Sequence, residues 1–315
     1  MRAVVIQEGQ LQILERDVPV LGPDDVTVAV RAAGINAADL LQLKGFYPAP
    51  PGWPVDIPGL EMAGIVSAVG KDVHEALLGR RVCAVVGGGA QATHCAVPAE
   101  HLMFVPEQVP WSEAGGFAEA FTTAHDALVT QGRLREGERV LISGASGGVG
   151  TAAVQIAHRL GAHVTAVTRS DTHHEDLRAL GADETVTLDE VEDIGRVDVV
   201  LELVGAAHLV RAQRVLAPFA RVVIIGVGGG GRLDLDLLNV MATRATFTGS
   251  TLRSRSRQEK ALVTARVSEE VVPLWSSDQL RVPLAQTFEL DGAAEAYEHF
   301  GQPGKFGKVV LLVED

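Results

Sequence analysis

The stretch GASGGVG, residues 144–150, places four glycines among seven positions and constrains the possible fold more than any other feature. Residues 140–142 before it predict a β-strand, and the residues from Thr151 onward predict a helix. A strand, a glycine turn and a helix in that order bring several backbone N–H groups to the positively polarised end of the helix. The stretch therefore predicts a phosphate-binding turn.

Strands and helices alternate after this turn. Strands are predicted over 163–168, 184–188, 197–205 and 221–229, and helices over 171–181 and 206–217. This alternation implies right-handed crossovers and a parallel sheet covered by helices on both faces. The β-rich residues before about 120 and the mixed elements after 256 then form a second domain, with the α/β unit inserted between its two parts.

The spacing of the glycines indicates a dinucleotide as the bound phosphate. Gly144, Gly147 and Gly150 recur every third residue. In such turns the first glycine permits the tight bend, the second lets the backbone approach a pyrophosphate, and the third lets helix and strand pack closely. A glycine turn without a ligand is the alternative. We predict cofactor contacts from the whole turn: Gly144, Ala145, Ser146, Gly147, Gly148, Val149 and Gly150.

The end of the next predicted strand bears on the choice between NAD and NADP. An NAD site places Asp or Glu about 20 residues after the fingerprint, where the carboxylate binds the ribose 2′-hydroxyl. Here the strand ends in Thr168, Arg169 and Ser170, and the planar fork of arginine suits a phosphate. These three residues predict NADP(H). Asp171 could still bind a ribose if the strand end is shifted.

Composition limits the function classes. The formal net charge of −13 argues against sequence-independent nucleic-acid binding and against adsorption to anionic lipid. The basic run RSRSR at 253–257 is a weak footprint for RNA in so acidic a chain. No apolar run approaches the roughly 20 residues that span a bilayer, and the first residues lack the apolar core of a signal peptide. Together with two isolated cysteines, Cys83 and Cys95, these features predict a cytoplasmic protein.

Four segments carry a resemblance to a known family: GINAADLLQLKGFYPAPPG, GLEMAGIVSAVG, GASGGVGTAAVQIAHRLGA and TGSTLRSRS. They resemble the medium-chain dehydrogenase/reductase superfamily, and within it the zinc-free, zeta-crystallin-like NADPH:quinone oxidoreductases, most closely the tumour-suppressor-inducible branch. The resemblance implies an α/β fold with a GroES-like β-rich catalytic domain over 1–118 and 257–315. It also implies an NADP-binding Rossmann domain over 119–256, with the active site in the cleft between the two.

The resemblance also implies that the protein holds no metal. Zinc alcohol dehydrogenases of the superfamily carry a cysteine at the position of Asn36 and a histidine at that of Leu60. Glu61 alone is not a catalytic metal site. Asn36 and Tyr47 match active-site positions of the zinc-free enzymes, and Tyr47 can offer an O–H group or an aromatic face. Further cofactor contacts are expected from the ends of two predicted strands and from positions matched in relatives: Thr123, Val204, Gly205, Gly226, Val227, Ser250, Thr251, Leu252 and Lys308.

These observations favour NADPH-dependent reduction of a quinone by metal-free hydride transfer. Two alternatives remain: reduction of a conjugated enone or enoyl thioester, which a cationic groove for a phosphate would favour, and a redox sensor that holds NADPH without turnover. The β-rich segment 245–251 follows the last predicted parallel strand, and an unpaired edge there predicts a homodimer.

Overall fold

The structure is a computed structural model that describes residues 1–314. Residues 1–125 contain seven strands and three α-helices: β1 Arg2–Gln7, β2 Gln10–Glu15, β3 Asp25–Ile35, α1 Ala37–Leu43, β4 Glu61–Val69, β5 Arg81–Val85, β6 His94–Pro98, β7 Met103–Phe104, α2 Trp111–Ala114 and α3 Ala118–His125. Strands and helices then alternate: β8 Arg139–Ile142, α4 Gly148–Arg159, β9 His163–Thr168, α5 His174–Ala179, β10 Glu184–Thr187, β11 Val197–Glu202, α6 Ala206–Ala212, β12 Leu216–Ile224, α7 Leu237–Thr243 and β13 Thr246–Gly249. The last part contains α8 Arg257–Glu270, α9 Val272–Ser276, β14 Leu284–Glu289, α10 Ala293–Gly301 and β15 Lys308–Leu312.

The described chain forms two compact units. Unit 1 contains Met1–Thr122 and residues 252–314, and unit 2 contains Thr123–Thr251. The boundary falls inside α3 on one side and just after β13 on the other. No helix within residues 1–314 is long and apolar enough to cross a membrane.

Unit 1 is built on a sheet that uses both ends of the chain. Its seven strands include the path β14-β15-β3-β4-β5-β7, and β6 also pairs with β3. Strand β15 lies antiparallel to β3, with Val309 opposite Ile35. Both of these side chains are fully buried, as are most of the small and β-branched residues of β3. The C-terminal strands therefore share a core with strands that precede them by more than 200 residues.

Unit 2 is a six-stranded parallel sheet in the order β10-β9-β8-β11-β12-β13. The strand order reverses between β8 and β11, and ligands of such sheets bind at the carboxyl ends of the strands beside this switch point. Helix α4 begins there and buries Ala153, Ile156 and Ala157. This sheet and the β-rich unit 1 confirm the predicted α/β fold class with a Rossmann-type sheet.

Several predicted boundaries differ from the observed ones, and the helix predicted over 206–217 ends at Ala212. Strand β11 ends at Glu202 and not at 205, and in the turn that follows Gly205 has a φ of +111° that few other residues adopt. The strand predicted over 221–229 lies instead at Leu216–Ile224 and gives way to a glycine-rich turn. The predicted helix 171–181 begins with a 3₁₀ turn, Asp171–His173, before α5.

Candidate functional site

The glycine turn of unit 2 has the geometry that its spacing predicts. Gly144 has a φ of +58°, in the left-handed region. Gly147 is the N-cap of α4. A Cβ on Gly150 would lie 2.5 Å from the carbonyl oxygen of Gly144 and 2.6 Å from the Cα of Ala145, so only glycine lets the helix lie this close to the turn. The backbone of the turn therefore fits a dinucleotide pyrophosphate.

The end of β9 presents an exposed arginine. The strand ends at Thr168, whose buried hydroxyl donates to the carbonyl oxygen of Ser170 at 2.7 Å and lies 2.9 Å from Nε2 of His174. Arg169 and Ser170 are exposed. Asp171 opens the following 3₁₀ turn, so it does not occupy the strand end. Arg169 is thus the charged side chain adjacent to the end of the second strand.

A buried carboxylate shapes the turn after β11. One oxygen of Glu202 accepts hydrogen bonds at 2.7 Å from the Ser143 hydroxyl and from the backbone N–H groups of Val204 and Gly205. Its other oxygen lies 2.5 Å from Nδ1 of the buried His208. Glu202 therefore fixes the backbone of two predicted cofactor contacts. Sequence reasoning missed it because the residue looks like an ordinary strand terminus.

The other predicted contacts of unit 2 end neighbouring strands. Gly226 and Val227 follow β12, and a Cβ on Gly226 would lie 2.2 Å from the carbonyl oxygen of Leu203. Ser250 follows β13, and its N–H donates to the carbonyl oxygen of Ile224. The turns after β8, β9, β11, β12 and β13 thus lie along one edge of the sheet, as parallel strands require. Thr251 ends unit 2, and Thr123 is buried in α3.

In unit 1 a buried ion pair holds Asn36. The ammonium of Lys308 donates to Oε1 of Glu61 at 2.6 Å, to Oδ1 of Asn36 at 2.7 Å and to the carbonyl oxygen of Ile35 at 3.1 Å. The side-chain amide of Asn36 also donates to Glu61 at 2.9 Å. Both charged side chains are almost fully buried. All three ammonium protons are used inside unit 1, so any effect of Lys308 on a ligand would act through Asn36 and Glu61.

The backbone around this pair is equally constrained. A Cβ on Gly34 would lie 2.2 Å from Oε1 of Glu61. The backbone N–H of Asn36 donates to Asp39, which also accepts from the N–H of Gly59. Burial raises the pKa of Asp39 to about 6, although these two hydrogen bonds oppose the shift. The position and direction of the Asn36 amide are therefore fixed from several sides.

Tyr47 is held by an arginine from the other end of unit 1. The guanidinium of Arg253 donates to the carbonyl oxygens of Tyr47 at 2.7 Å and Gly87 at 2.9 Å, and to Oε1 of Gln42 at 2.6 Å. It also lies 5.0 Å from the centroid of the Tyr47 ring. Burial and the nearby Glu119 raise the pKa of Tyr47, against the effect of Arg253. The Tyr47 hydroxyl therefore keeps its proton at neutral pH and can donate it in a hydrogen bond. Leu252, next to this arginine, is buried.

Glu119, at the start of α3, is a member of the site that the sequence did not indicate. Its backbone N–H donates to Glu61 at 2.8 Å. Burial, followed by the charge of Glu61, raises the pKa of the Glu119 carboxyl to about 8. The group therefore holds a proton at neutral pH and adds no full negative charge beside Tyr47.

The residues at the two positions compared with zinc ligands have no metal-binding character. Both ends of the Asn36 amide are hydrogen-bonded, and Leu60 is a buried apolar side chain. Residues 1–314 contain no group of three or more His, Cys, Asp or Glu placed to hold a metal ion. Burial raises the pKa of both free thiols, that of Cys95 to about 12.

Comparison with known proteins agrees with this description. The family described as alcohol dehydrogenase GroES-like domain matches residues 22–133, and the family described as zinc-binding dehydrogenase matches residues 148–268. The human quinone oxidoreductase is 28% identical, over 99% of this chain and 98% of its own length. The solved quinone oxidoreductase of Thermus thermophilus is 30% identical with a TM-score of 0.85, and the match covers 99% of this chain and 100% of that one.

A longer relative also matches. A phenolphthiocerol/phthiocerol polyketide synthase chain of Mycobacterium tuberculosis is 33% identical over 92% of this chain. The match spans only 14% of the length of that synthase chain.

A parallel sheet in this strand order, with a glycine turn at its switch point and a GroES-like unit in the same chain, defines an oxidoreductase that uses a nicotinamide cofactor. The chain belongs to the zeta-crystallin-like medium-chain dehydrogenase/reductase family, which confirms the resemblance noted from its sequence.

Glu119 generates a prediction about pH. Its folded-state pKa of about 8 lies above the ordinary value of 4.5, so the folded protein binds the proton more tightly than the unfolded chain. Stability from this group is complete below pH 4.5 and is lost as the pH rises to about 8. Glu119→Gln resembles the protonated form. At pH 9 we expect its free energy of unfolding to exceed that of the parent by several kcal/mol, because each pKa unit corresponds to about 1.4 kcal/mol. It should therefore unfold at a higher urea concentration. The two proteins should differ little at pH 5.

The measurement is urea unfolding of parent and variant at both pH values. Glu107→Gln, at an exposed position, is the matched control and should follow the parent throughout. An equal difference between Glu119→Gln and the parent at both pH values would contradict the assignment of a raised pKa.

Proposed function

We propose that this protein is an NADPH:quinone oxidoreductase that transfers hydride without a metal ion. NADPH, when bound, would supply the hydride. The observation that carries the proposal is the arrangement of Asn36, Glu61 and Lys308, because it places a fixed amide where the zinc enzymes carry a metal ligand. Without a Lewis acid the acceptor must already be electrophilic, and a quinone is, since its reduction gives an aromatic product.

Tyr47 is the proposed proton or hydrogen-bond donor to the oxygen that becomes negative. Its raised pKa keeps the hydroxyl protonated, and Arg253 fixes the backbone that carries it. Asn36, held by Lys308 and Glu61, would orient the acceptor. We propose that the GroES-like domain, 1–118 and 257–315, carries the catalytic residues and that the domain over 119–256 binds the cofactor.

A conjugated enone or enoyl thioester is the second candidate acceptor. Its reduction requires the same hydride transfer and the same stabilisation of a developing oxyanion. The observation that favours it is a set of basic side chains, Arg253, Arg255 and Lys260, along a groove of unit 1.

Steady-state oxidation of NADPH with ortho-quinones, para-quinones, enones and crotonyl-CoA, each in the presence of a metal chelator, tests the proposal. Activity that chelation abolishes and zinc restores would overturn the metal-free mechanism.

The role of Tyr47 gives a kinetic prediction. If Tyr47 donates in the transition state, Tyr47→Phe should lower kcat and kcat/KM together. A hydroquinone anion is already stable in water, so we expect an effect under about 2 kcal/mol, below that of losing an oxyanion-hole donor. If the ring only stacks on the acceptor, Phe should preserve both constants and Ala should mainly raise KM. Full activity of both Tyr47→Phe and Asn36→Ala toward every quinone would show that the site is misplaced.

We propose NADP(H) as the cofactor because Arg169 is exposed beside the end of β9 and no carboxylate occupies that strand end. The solved Thermus thermophilus relative includes a complex with NADPH, which supports the choice.

Arg169→Ala should weaken NADPH binding by about 1–3 kcal/mol, as expected for a charged hydrogen-bond partner, with little effect on NADH. Fluorescence titration measures both affinities, and Arg178→Ala, at an exposed position of α5, is the matched control. Equal affinity of the parent for both cofactors would contradict the proposal.

We further propose a homodimer through the edge of the unit 2 sheet. Strand β13 is the last strand of that sheet, so one side of it is unpaired within residues 1–314. Helix α7, just before it, exposes Leu237, Leu238 and Met241 by 66–78%. Phe247 of β13 packs against the core of unit 2, so a substitution there would also disturb that core. Leu238→Asp changes an exposed side chain and should convert a dimer to a monomer. Light scattering measures the change in mass. A parent protein that is monomeric at every concentration would overturn the proposal.

A further inference from the structure

Unit 2 contains a buried polar pair to which the proposed hydride transfer gives no role. The side chains of Glu202, at the end of β11, and His208, on α6, are 0% and 2% exposed. Oε2 of the glutamate lies 2.5 Å from Nδ1 of the imidazole. Because a carboxylate only accepts hydrogen bonds, the proton of this contact lies on Nδ1. The contact is therefore directed from the imidazole to the carboxylate.

The second ring nitrogen of His208 bears on why an imidazole is present. Nε2 is buried and has no hydrogen-bond partner within residues 1–314. A buried polar atom without a partner costs free energy, and replacing a buried polar pair by apolar side chains of similar size is often neutral or stabilising. What the imidazole provides and an apolar side chain does not is the Nδ1–H donor. Its role therefore lies in what it does to Glu202.

The carboxylate of Glu202 joins the turn after β8 to the turn after β11. Its Oε1 accepts three hydrogen bonds at 2.7 Å, from the Ser143 hydroxyl and from the backbone N–H groups of Val204 and Gly205. The Ser143 hydroxyl in turn accepts from the N–H of Leu203 at 2.7 Å. With the imidazole on its other oxygen, the carboxylate is held from both sides, and its direction sets the backbone of the turn after β11.

The turn after β12 is bonded to the same backbone. The carbonyl oxygen of Glu202 accepts from the N–H of Ile225 at 2.9 Å and from that of Gly226 at 3.1 Å. The carbonyl oxygen of Val204 accepts from the N–H of Gly229 at 2.6 Å. A change in the direction of the Glu202 carboxylate would therefore move both turns together.

These two turns belong to one half of a dinucleotide site. The strand order β10-β9-β8-β11-β12-β13 divides the sheet into two mononucleotide-binding halves on either side of its switch point. The glycine turn after β8 and the end of β9 lie in the first half, where such folds hold the pyrophosphate and the adenosine ribose. The turns after β11 and β12 lie in the second half, which leaves them for the nicotinamide.

We infer that His208 and Glu202 are a positioning pair, in which the Nδ1–H of His208 fixes the carboxylate and the carboxylate fixes the turns that receive the nicotinamide half of the cofactor. The inference rests on the proposed use of NADPH. Both residues act through the backbone of the turns, so neither is a catalytic residue. Binding of the adenosine half should depend little on the pair, and binding of the nicotinamide half should depend on it strongly.

Replacement of His208 tests the inference by binding, without turnover. His208→Leu removes the donor and should weaken NADPH binding by about tenfold or more, as expected for loss of a charge-assisted hydrogen bond. Adenosine 2′,5′-bisphosphate, which lacks the nicotinamide half, should bind the parent and this variant alike. His208→Asn can place an amide N–H near the position of Nδ1–H and should restore most of the NADPH affinity. His158→Leu, at an exposed position of α4, is the matched control and should bind both ligands as the parent does.

Calorimetric titration measures these affinities. Parent-like NADPH binding by His208→Leu would overturn the inference. So would an equal loss of affinity for NADPH and for adenosine 2′,5′-bisphosphate, because the pair would then support the whole unit and not one half of the site. Failure of His208→Asn to bind NADPH better than His208→Leu would show that the Nδ1–H donor is not what matters.

A measurement on the unchanged protein keeps the inference testable even if a variant does not fold. Hydrogen exchange of the Val204 and Gly205 amides should be slow without cofactor, because a buried carboxylate accepts from both. NADPH should slow their exchange further, and adenosine 2′,5′-bisphosphate should not. Equal protection by the two ligands, or none from NADPH, would contradict the placement of the nicotinamide half at these turns.

Kinetics separates this inference from the proposed function. At saturating NADPH, His208→Leu should lower kcat with any acceptor that the parent reduces, because a poorly held nicotinamide reacts more slowly. Quinone reduction by His208→Leu with the constants of the parent would overturn the inference and leave the proposed function intact. NADPH binding that depends on His208, without reduction of any quinone or conjugated carbonyl, would keep the inference and overturn the proposed function.

Discussion

The buried ion pair of Lys308 and Glu61 is the constraint on which unit 1 depends. It joins β15 to β4 and, through Asn36, to the end of β3. Removing one partner of such a pair leaves an uncompensated buried charge and typically costs about 3–5 kcal/mol. The pair also links the last strand, which follows unit 2 in the sequence, to a strand that precedes unit 2.

The same pair explains why the candidate site is rigid. Asn36 follows β3 and would otherwise be free to rotate its amide, but Lys308 bonds the oxygen and Glu61 bonds the nitrogen. Tyr47 is held in a comparable way by Arg253, which also comes from the C-terminal part of unit 1. Both proposed functional side chains of the N-terminal part are thus oriented by cations that follow unit 2 in the chain. Substrate-orienting groups gain most when their own geometry is fixed in this way.

The sequence was sufficient for the features that depend on local chemistry. Glycine spacing predicted the turn at 144–150, and the apolar run 163–168 predicted β9 with its observed bounds. Neither signal could reveal buried polar residues, whose role depends on what packs around them. Glu119, Glu202 and Arg253 look in the sequence like ordinary charged or terminal positions. Their partners lie as far as 211 residues away, in the case of Arg253 and Gln42.

The charged groups of the candidate site in unit 1 differ in how far each is neutralised. Lys308 and Glu61 form an ion pair at 2.6 Å, and burial, followed by the charge of Glu61, raises the pKa of Glu119 to about 8. Two charged groups act on the Tyr47 hydroxyl: Glu119, which raises its pKa, and Arg253, which lowers it. If Glu119 were ionised, it would oppose an oxyanion beside the Tyr47 hydroxyl. Because Glu119 retains its proton at neutral pH, the cation Arg253 has more influence on Tyr47, and it would favour a developing negative charge on the proposed acceptor.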